Sequence, residues 1–195
     1  MNGRCIVAAV QEELGPLMGF PIGIGGIRSA CGITTVLETH RPTEVVLVGT
    51  AGAYPGARGI PIATGEACVA SRLGWASGTA ELGFGYVPRA PEPLASDPEW
   101  VEALTARGVP TATVLTVPAI TTDPHLVARL GADWMVEHLE TYSVAHACAV
   151  RGVRFVAVLG IANVVGPNAH EEYMANRHRA QAAAQAAVAM LPDPN

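Results

Sequence analysis

The stretch 134–166, WMVEHLETYSVAHACAVRGVRFVAVLGIANVVG, decides the fold class. Its first half predicts a helix that carries His138 and Glu140 in its first turn, and its second half predicts an apolar strand from Val153 to Leu159. A helix packed antiparallel to the strand that follows it places its N-terminus over the carboxyl end of that strand. The stretch therefore predicts one helix–strand unit of an α/β protein.

Two polar residues of this unit indicate a ligand site. Glu140 lies at the start of the predicted helix and Asn163 follows the predicted strand. Both should therefore face the crevice outside the carboxyl ends of the strands, where open α/β sheets bind small ligands. A structural explanation is also available, because the helix dipole favours glutamate in a first turn and asparagine is common after a strand. These two residues alone leave both interpretations open.

Length and composition narrow the class of protein. The 195 residues are 50% hydrophobic and 15% charged, which suits one sizeable core. A net charge of −5 without a basic run argues against nucleic acid as a partner. No apolar segment approaches the roughly 20 residues that cross a bilayer. The four cysteines have no zinc-site spacing and are expected to be buried thiols of a cytoplasmic protein: Cys5, Cys31, Cys68 and Cys148.

The rest of the chain alternates predicted strands with predicted helices, without an internal repeat or a dividing linker. This alternation predicts a three-layer α/β domain. Tyr173 and Arg177 are expected to sit on the last helix without capping a pocket. The predicted strands cover residues 5–10, 44–54, 60–69 and 111–117, a loop-rich segment covers 70–93, and the predicted helices cover 29–39, 98–108, 125–130 and 169–190.

Candidate ligand contacts lie where predicted strands end. The first strand stops at Glu12 and Glu13, and the strand 44–54 ends in small residues that leave room beside the backbone. The glycine-dense segment 19–27 precedes a helix, where glycines let ligand oxygens approach the backbone. A tight turn is the alternative, since the dinucleotide motif G-x-G-x-x-G fails at Arg28.

Metal and serine-nucleophile chemistry are not predicted. His138 and His146 lie eight residues apart, which is not the spacing of ligands on adjacent helical turns. Ser71 and Ser143 lack the sequence context of a nucleophile elbow. The prediction therefore contains neither a metal nor a cofactor.

Six motifs follow one another along the chain: an apolar strand that ends in Glu-Glu, a GIG loop, VGTAGAYPG at 48–56, GEACVA at 65–70, LETYSVAHAC at 139–148 and GIANVVGP at 160–167. In this order they resemble the purine nucleoside phosphorylase and nucleosidase superfamily, over about residues 4–188. The segments 49–56, 82–85 and 161–167 are most similar to futalosine hydrolase, an enzyme of menaquinone biosynthesis, and next to methylthioadenosine/S-adenosylhomocysteine nucleosidase. The resemblance implies one domain over residues 1–195, a three-layer α/β/α fold with a mixed central sheet, and a homo-oligomer that acts on a nucleoside.

The resemblance also implies roles for individual positions. Glu13 matches the glutamate that activates the attacking water, with Glu12 as the second choice. Asn163 matches an aspartate that helps to protonate the leaving purine, and Leu139 and Glu140 match the pair that holds the ribose. Further substrate contacts are expected at Gly25, Thr50, Ala51, Gly52 and Ile120.

These residue types suit the cleavage of an N-ribosyl bond. Positive charge grows on the ribose as the bond breaks, so a carboxylate such as Glu140 beside the hydroxyls binds more tightly in the transition state. Water needs a base to take its proton, which is the role expected for Glu13. Asn163 can donate a hydrogen bond but no proton, so it would orient and stabilise the leaving base. Asparagine at this position is what the resemblance to futalosine hydrolase implies.

Three positions depart from the family pattern. The segment 17–22 is shorter than the nucleosidase β-hairpin, so part of the pocket wall is missing or supplied by another segment, and residues 160–162 lack the Arg and Ser of many relatives. Phosphorylases carry an arginine where this chain has Leu47, which leaves Arg28 as the nearby cation and favours hydrolysis over phosphorolysis.

The predicted function is hydrolysis of a purine-type nucleoside, most like futalosine hydrolase. The alternatives are a methylthioadenosine/S-adenosylhomocysteine nucleosidase, a purine nucleoside phosphorylase and a non-catalytic nucleoside-binding protein.

Overall fold

The computed structural model describes residues 3–57 and 61–193 of the chain. The strands of this part are β1 (Arg4–Ala8), β2 (Phe20–Pro21), β3 (Glu44–Ala53), β4 (Ala67–Trp75), β5 (Leu94–Ala95), β6 (Thr111–Thr116), β7 (Val136–His138) and β8 (Arg154–Val164). Its helices are α1 (Gln11–Leu14), α2 (Gly26–His40), α3 (Gly78–Glu81), α4 (Pro98–Thr105), α5 (Pro124–Gly131), α6 (Thr141–Val150) and α7 (Ala169–Val188).

The strands form one mixed sheet, and five of them close into a ring. β3 pairs in parallel with β8, β8 pairs antiparallel with β4, and β4 pairs in parallel with β6. β6 pairs in parallel with β7, which returns to β3 in antiparallel pairing. β1 and β2 extend the sheet on one side of β3, and β5 extends it beyond β4. The predicted α/β fold with a mixed central sheet is confirmed.

Side chains alternate across β3 and fill two separate cores. Val45 and Leu47 pack with buried residues of α2 and α6, whereas Val46 and Val48 pack with buried residues of α1, α4 and α7 on the opposite face. Helices therefore cover both faces of the strand, which explains its continuous apolar sequence. The three-layer arrangement follows from this alternation.

The helix predicted around His138 and Glu140 begins later than expected. α6 starts at Thr141, Glu140 is its N-cap residue, and His138 is the last residue of β7. This part of the prediction was wrong because the short segment Val136–His138 pairs with β3 on one side and β6 on the other. Pairing with strands that are distant in sequence overrides the helix-like local pattern.

Two strands end later than predicted. β8 continues past Leu159 to Val164 because it pairs with β3 along its whole length. β4 begins at Ala67 and runs to Trp75, so the predicted strand 60–69 starts too early and the predicted loop-rich segment starts too early as well. Residue 60 lies outside the described residues, and a turn with Gly65 at a positive φ of 87° precedes β4.

Two of the four cysteines match the expectation of burial. Cys68 and Cys148 are buried, Cys5 is partly buried, and Cys31 is exposed on α2. The prediction was wrong for Cys31, which lies on the side of α2 that faces away from the core. Among the described helices, none combines the length and the apolar character that a membrane crossing requires.

α7 lies very close to β8. A Cβ atom added at Gly160 would sit within 1.9 Å of the carbonyl oxygen of Ala180, so only glycine fits between this strand and the helix. The helix residues Ala180 and Ala184 are fully buried in the same contact region. This close packing brings the first turn of α7 over the carboxyl ends of β3 and β8.

Candidate active site

A cavity of about 200 Å³ opens at the carboxyl ends of β3 and β8. Its walls come from seven places in the chain: the turn after β1 with α1, the loop before α2, the end of β3, the loop between β6 and α5, the junction between β7 and α6, the end of β8 and the first turns of α7. The lining residues are Ala9, Val10, Glu13, Ile24, Thr50, Ala51, Gly52, Ile120, Glu137, His138, Leu139, Glu140, Asn163, Ala169, His170 and Tyr173.

All but one of the residues predicted for the site line this cavity. The structure brings together Glu13, Thr50, Ala51, Gly52, Ile120, Leu139, Glu140 and Asn163. Gly25 is the exception, because its backbone N–H donates to Glu140 Oε1 at 2.6 Å and is not directed at a ligand. Glu140 and Asn163 face one crevice, as the helix–strand argument predicts.

Glu13 is buried at the base of the cavity and held by one oxygen. Its Oε1 accepts hydrogen bonds from the backbone N–H of Thr50 at 2.9 Å and from Thr50 Oγ1 at 2.7 Å. Within the described part of the chain, its Oε2 has no hydrogen-bond partner, although this atom is buried. The carboxyl group therefore keeps one fixed oxygen and one oxygen that is free to bind a water or a ligand hydroxyl.

Burial raises the pKa of Glu13 above its ordinary value. Desolvation is the largest cause, and the hydrogen bonds from Thr50 and the proximity of His138 oppose it. A carboxyl group with a raised pKa is a stronger base when it is ionised, which suits proton transfer from water. Its neighbour Glu12 is exposed and does not line the cavity, so the structure gives no support to the second choice.

Glu140 is buried at the N-terminus of α6. Its Oε1 accepts the hydrogen bond from Gly25 N, and its Oε2 lies 3.2 Å from His138 Nδ1. The positive end of a helix dipole favours a carboxylate at this position. The loop before α2 and the start of α6 are thus joined through a single side chain.

A β-bulge next to the cavity directs Asn163. The pairing of β3 with β8 shifts register between Ala51 and Gly52, so that Ala51 opposes Ile161 and Gly52 opposes Asn163. Such bulges re-aim side chains at the ends of strands. The Asn163 Nδ2 group donates to the carbonyl of Val164 at 3.0 Å, which leaves its Oδ1 and its second N–H for other partners.

Glu137 lines the cavity although the sequence analysis did not select it. Its Oε2 accepts a hydrogen bond from Tyr54 Oη at 2.6 Å, and its Oε1 accepts one from the backbone N–H of Thr121 at 2.9 Å. Burial and the nearby carboxylate raise the pKa of Tyr54, so the phenol stays protonated and donates. These bonds fix the loop that carries Ile120, whose side chain is half exposed at the rim.

Tyr173 also lines the cavity, so the prediction that it lies away from the pocket was wrong. α7 begins at Ala169, and its first turns place Ala169, His170 and Tyr173 on the cavity side. Burial and the nearby carboxylate of Glu13 raise the pKa of the Tyr173 phenol. The spacing of residues 169, 170 and 173, which places them on one face of a helix, is the sequence pattern that could have identified them. Arg177, by contrast, is not among the lining residues.

The cavity is acidic and otherwise mostly apolar. Its described lining contains three glutamates and neither lysine nor arginine. In the described part of the chain, no group of three or more His, Cys, Asp or Glu side chains has the arrangement of a metal site. The chemistry available here is therefore hydrogen bonding, proton transfer to a carboxylate and electrostatic stabilisation of positive charge.

Comparison with known proteins identifies the family. The family model of the phosphorylase superfamily matches residues 3–191. The 5'-methylthioadenosine/S-adenosylhomocysteine nucleosidase of Chromohalobacter salexigens is 25% identical over 167 residues, which cover 78% of this chain and 69% of the relative.

Solved structures with low sequence identity share the fold. The Neisseria meningitidis 5'-methylthioadenosine/S-adenosylhomocysteine nucleosidase in complex with methylthio-immucillin-A superposes with a TM-score of 0.80, at 19% identity and 96% coverage of both chains. The Helicobacter pylori futalosine hydrolase superposes equally well, with a TM-score of 0.80, 16% identity and 96% coverage of both chains. Because the family model spans nearly the whole sequence, the chain belongs to the phosphorylase superfamily.

Proposed function

We propose that this protein hydrolyses the N-ribosyl bond of a purine-type nucleoside. The observation that carries the proposal is the geometry of Glu13, which lines the cavity, is anchored by Thr50 through Oε1 and, among the described residues, has no hydrogen-bond partner at its buried Oε2. A base that activates water needs this combination of a fixed carboxylate and one free oxygen. The names of the relatives, which are nucleosidases, support the same reaction class.

The reaction can be assigned to the side chains in order. The N-ribosyl bond breaks with its electron pair moving to the nitrogen of the purine, and positive charge develops on the ribose. Glu140 stabilises this charge from the side of the ribose hydroxyls. Water adds to the anomeric carbon as Glu13 takes its proton, and the purine acquires a proton from solvent while Asn163 orients it.

Hydrolysis is favoured over phosphorolysis by the charge of the cavity. A phosphate co-substrate needs cationic ligands, and the described lining residues include no lysine or arginine. Arg28, the cation suggested by the sequence, is exposed on α2 and does not line the cavity. Three buried glutamates in the same space would repel a phosphate dianion.

A futalosine-type substrate is the favoured specific assignment within this proposal. Asn163 supports it, because an amide offers a donor and an acceptor to the base but no transferable proton. The alternative is methylthioadenosine or S-adenosylhomocysteine, the substrates named for the relatives. A homo-oligomeric state and a cytoplasmic location stay predictions.

The test is release of free base from futalosine, methylthioadenosine, adenosine and inosine, each with and without phosphate. We expect release that does not depend on phosphate, fastest with futalosine. A strict requirement for phosphate would replace the proposal with a phosphorylase. Binding without release from any of these nucleosides would leave a nucleoside-binding protein.

A further inference from the structure

His138 is a buried titratable side chain for which the proposed reaction has no role. It is the last residue of β7 and lines the cavity between Glu13 on α1 and Glu140 at the start of α6. Its side chain is only 3% exposed, so its contacts within the protein determine its orientation.

One ring edge of His138 is held by the start of α6. Its Nδ1 lies 3.3 Å from the backbone nitrogen of Glu140, 3.2 Å from that of Thr141 and 2.7 Å from Thr141 Oγ1. Backbone N–H groups only donate, so Nδ1 accepts and the proton of the neutral ring lies on Nε2. Protonating the ring would turn Nδ1 into a donor, and Glu140 Oε2 at 3.2 Å is then within reach.

The other ring edge borders the same space as Glu13. A Cβ atom added at Gly49 would lie 3.0 Å from His138 Nε2 and 3.6 Å from Glu13 Oε1. Only the absence of a side chain at Gly49 leaves this space open. The proximity of His138 also lowers the pKa of Glu13 against the effect of burial.

We propose that His138 is a positioning residue of this site, with its Nδ1 edge anchored on the start of α6, next to Glu140, and its Nε2 edge facing Glu13. This inference rests on the proposed hydrolysis. A single imidazole thereby fixes the distance between the start of α6, which carries the carboxylate that stabilises the ribose, and the carboxylate that activates water. The other titratable groups around the ring are Tyr173, which approaches Glu13 from α7, and Glu137, whose carboxylate is bonded to Tyr54 and Thr121.

Two substitutions each keep a polar group at one ring edge and remove the other edge. His138→Asn keeps an acceptor near the position of Nδ1 but loses the edge that faces Glu13, and His138→Gln keeps a polar group near the position of Nε2 but cannot carry a charge. We expect kcat to fall by roughly 10–100-fold in both variants, as for other misplaced reacting groups. The exposed His146 on α6 provides the matched control, and His146→Gln is expected to keep the kcat of the unmodified protein.

The pH dependence distinguishes a positioning role from a merely structural one. Glu13 has to be ionised to act as a base, and without His138 its pKa rises further. The acid limb of the kcat profile should therefore move to higher pH by roughly one unit in His138→Gln. An unchanged acid limb in folded variants, or kcat within twofold of the unmodified protein, would overturn the proposal.

Two NMR measurements test the inference even if no nucleoside is cleaved. A ¹³C titration of the Glu13 carboxyl, assigned through Glu13→Gln, should give a higher pKa in His138→Gln than in the unmodified protein. In the unmodified protein, ¹⁵N shifts should identify the neutral His138 as the Nε2–H tautomer. Equal Glu13 pKa values or an Nδ1–H tautomer would refute the role of His138, whereas absent turnover alone would refute only the proposed hydrolysis.

Discussion

The two ends of the central sheet bury carboxylates in opposite ways. At the amino ends of the strands, Glu44 contacts both Arg4 and Arg154, and Arg154 also holds Asp97 through two hydrogen bonds of 2.7 and 2.9 Å. Both guanidinium groups stack on the ring of Trp100, at 4.9 and 4.8 Å from its centroid. At the carboxyl ends, the glutamates around the cavity have neither lysine nor arginine among the described lining residues.

The pKa values follow this difference. The Arg154 guanidinium lowers the pKa of Asp97, whereas burial raises the pKa of Glu13. A carboxylate paired with arginine is stabilised in its charged form, so it is a weak base and its oxygens are already occupied by hydrogen bonds. A buried carboxylate without a cation is unfavourable for folding but available to a substrate, which is the usual relation between stability and function at active sites. Substitutions at the two ends should therefore affect different properties.

The largest effect is expected for Glu13→Gln. Loss of the general base should lower kcat by about 10²–10⁴-fold, measured as base release from the best nucleoside of the panel. Glu12→Gln, at the exposed neighbouring position, is the matched control and should keep full activity. Equal losses in both variants would contradict the assignment of the base.

Glu13→Gln should at the same time raise the stability. Because the pKa of Glu13 is raised on folding, its ionised form opposes folding, and stability falls as the pH rises from the ordinary value of 4.5 through the raised one. Glutamine removes this dependence, so the melting temperature of the variant should exceed that of the unmodified protein above this window. A lower melting temperature at neutral pH would break the contrast between the two ends.

A smaller loss of activity is expected for Glu140→Gln. The amide oxygen can still accept the hydrogen bond from Gly25, but the negative charge beside the ribose is lost, and kcat should fall on the order of 10²-fold. The exposed Glu38 on α2, which pairs with Arg151, offers a control in Glu38→Gln. If kcat stayed constant and only KM rose, Glu140 would bind the ribose equally in the ground state and in the transition state.

At the other end of the sheet, Asp97→Asn should affect stability alone. Asparagine can still cap α4, where Asp97 accepts from the backbone N–H groups of Glu99 and Trp100, but it loses the ion pair with Arg154. We expect a loss of about 1–2 kcal/mol in the free energy of unfolding with unchanged kcat. Glu99→Gln removes the exposed partner of Arg154 and should change stability by less than about 0.5 kcal/mol.

The pH dependence of this pair has the opposite sign to that of Glu13. The pKa of Asp97 is lowered, so its contribution is complete above the ordinary value of 3.8 and is lost as the pH falls through the lowered value. Denaturant titrations of Asp97→Asn and the unmodified protein should therefore converge at strongly acidic pH. A constant difference would mean that the ion pair is not what Asp97 contributes.

Tyr54→Phe is expected to have a smaller effect than Asp97→Asn. This change removes one hydrogen bond to Glu137 and leaves the other, from Thr121, in place. Stability should fall by about 1 kcal/mol, and KM should rise because the loop that carries Ile120 is less firmly held. Tyr86→Phe, at an exposed position, is the control for the loss of a phenol.

The sequence predicted the two-sided burial of β3 and the meeting of Glu140 with Asn163, because apolar runs and chain order are local properties. It did not predict β7, since three residues form a strand only through partners that are distant in sequence. Glu137 was missed for the same reason, and His138 was considered only as a metal ligand. The direction of the Asn163 side chain depends on the bulge opposite Ala51 and Gly52. A one-residue shift in strand pairing cannot be recognised from the pattern of apolar and polar residues in the sequence.

The closed ring of strands has a consequence for the passage of molecules. Three of its members, β3, β7 and β8, supply cavity residues, and each is hydrogen-bonded to ring strands on both sides near the cavity. Such a floor has no free edge at which it could swing open. Entry and departure of a nucleoside must therefore proceed past the rim formed by Ile24, Ile120 and the first turns of α7. Side chains and loops, rather than movement of the sheet, thus control the access of substrate and the release of product.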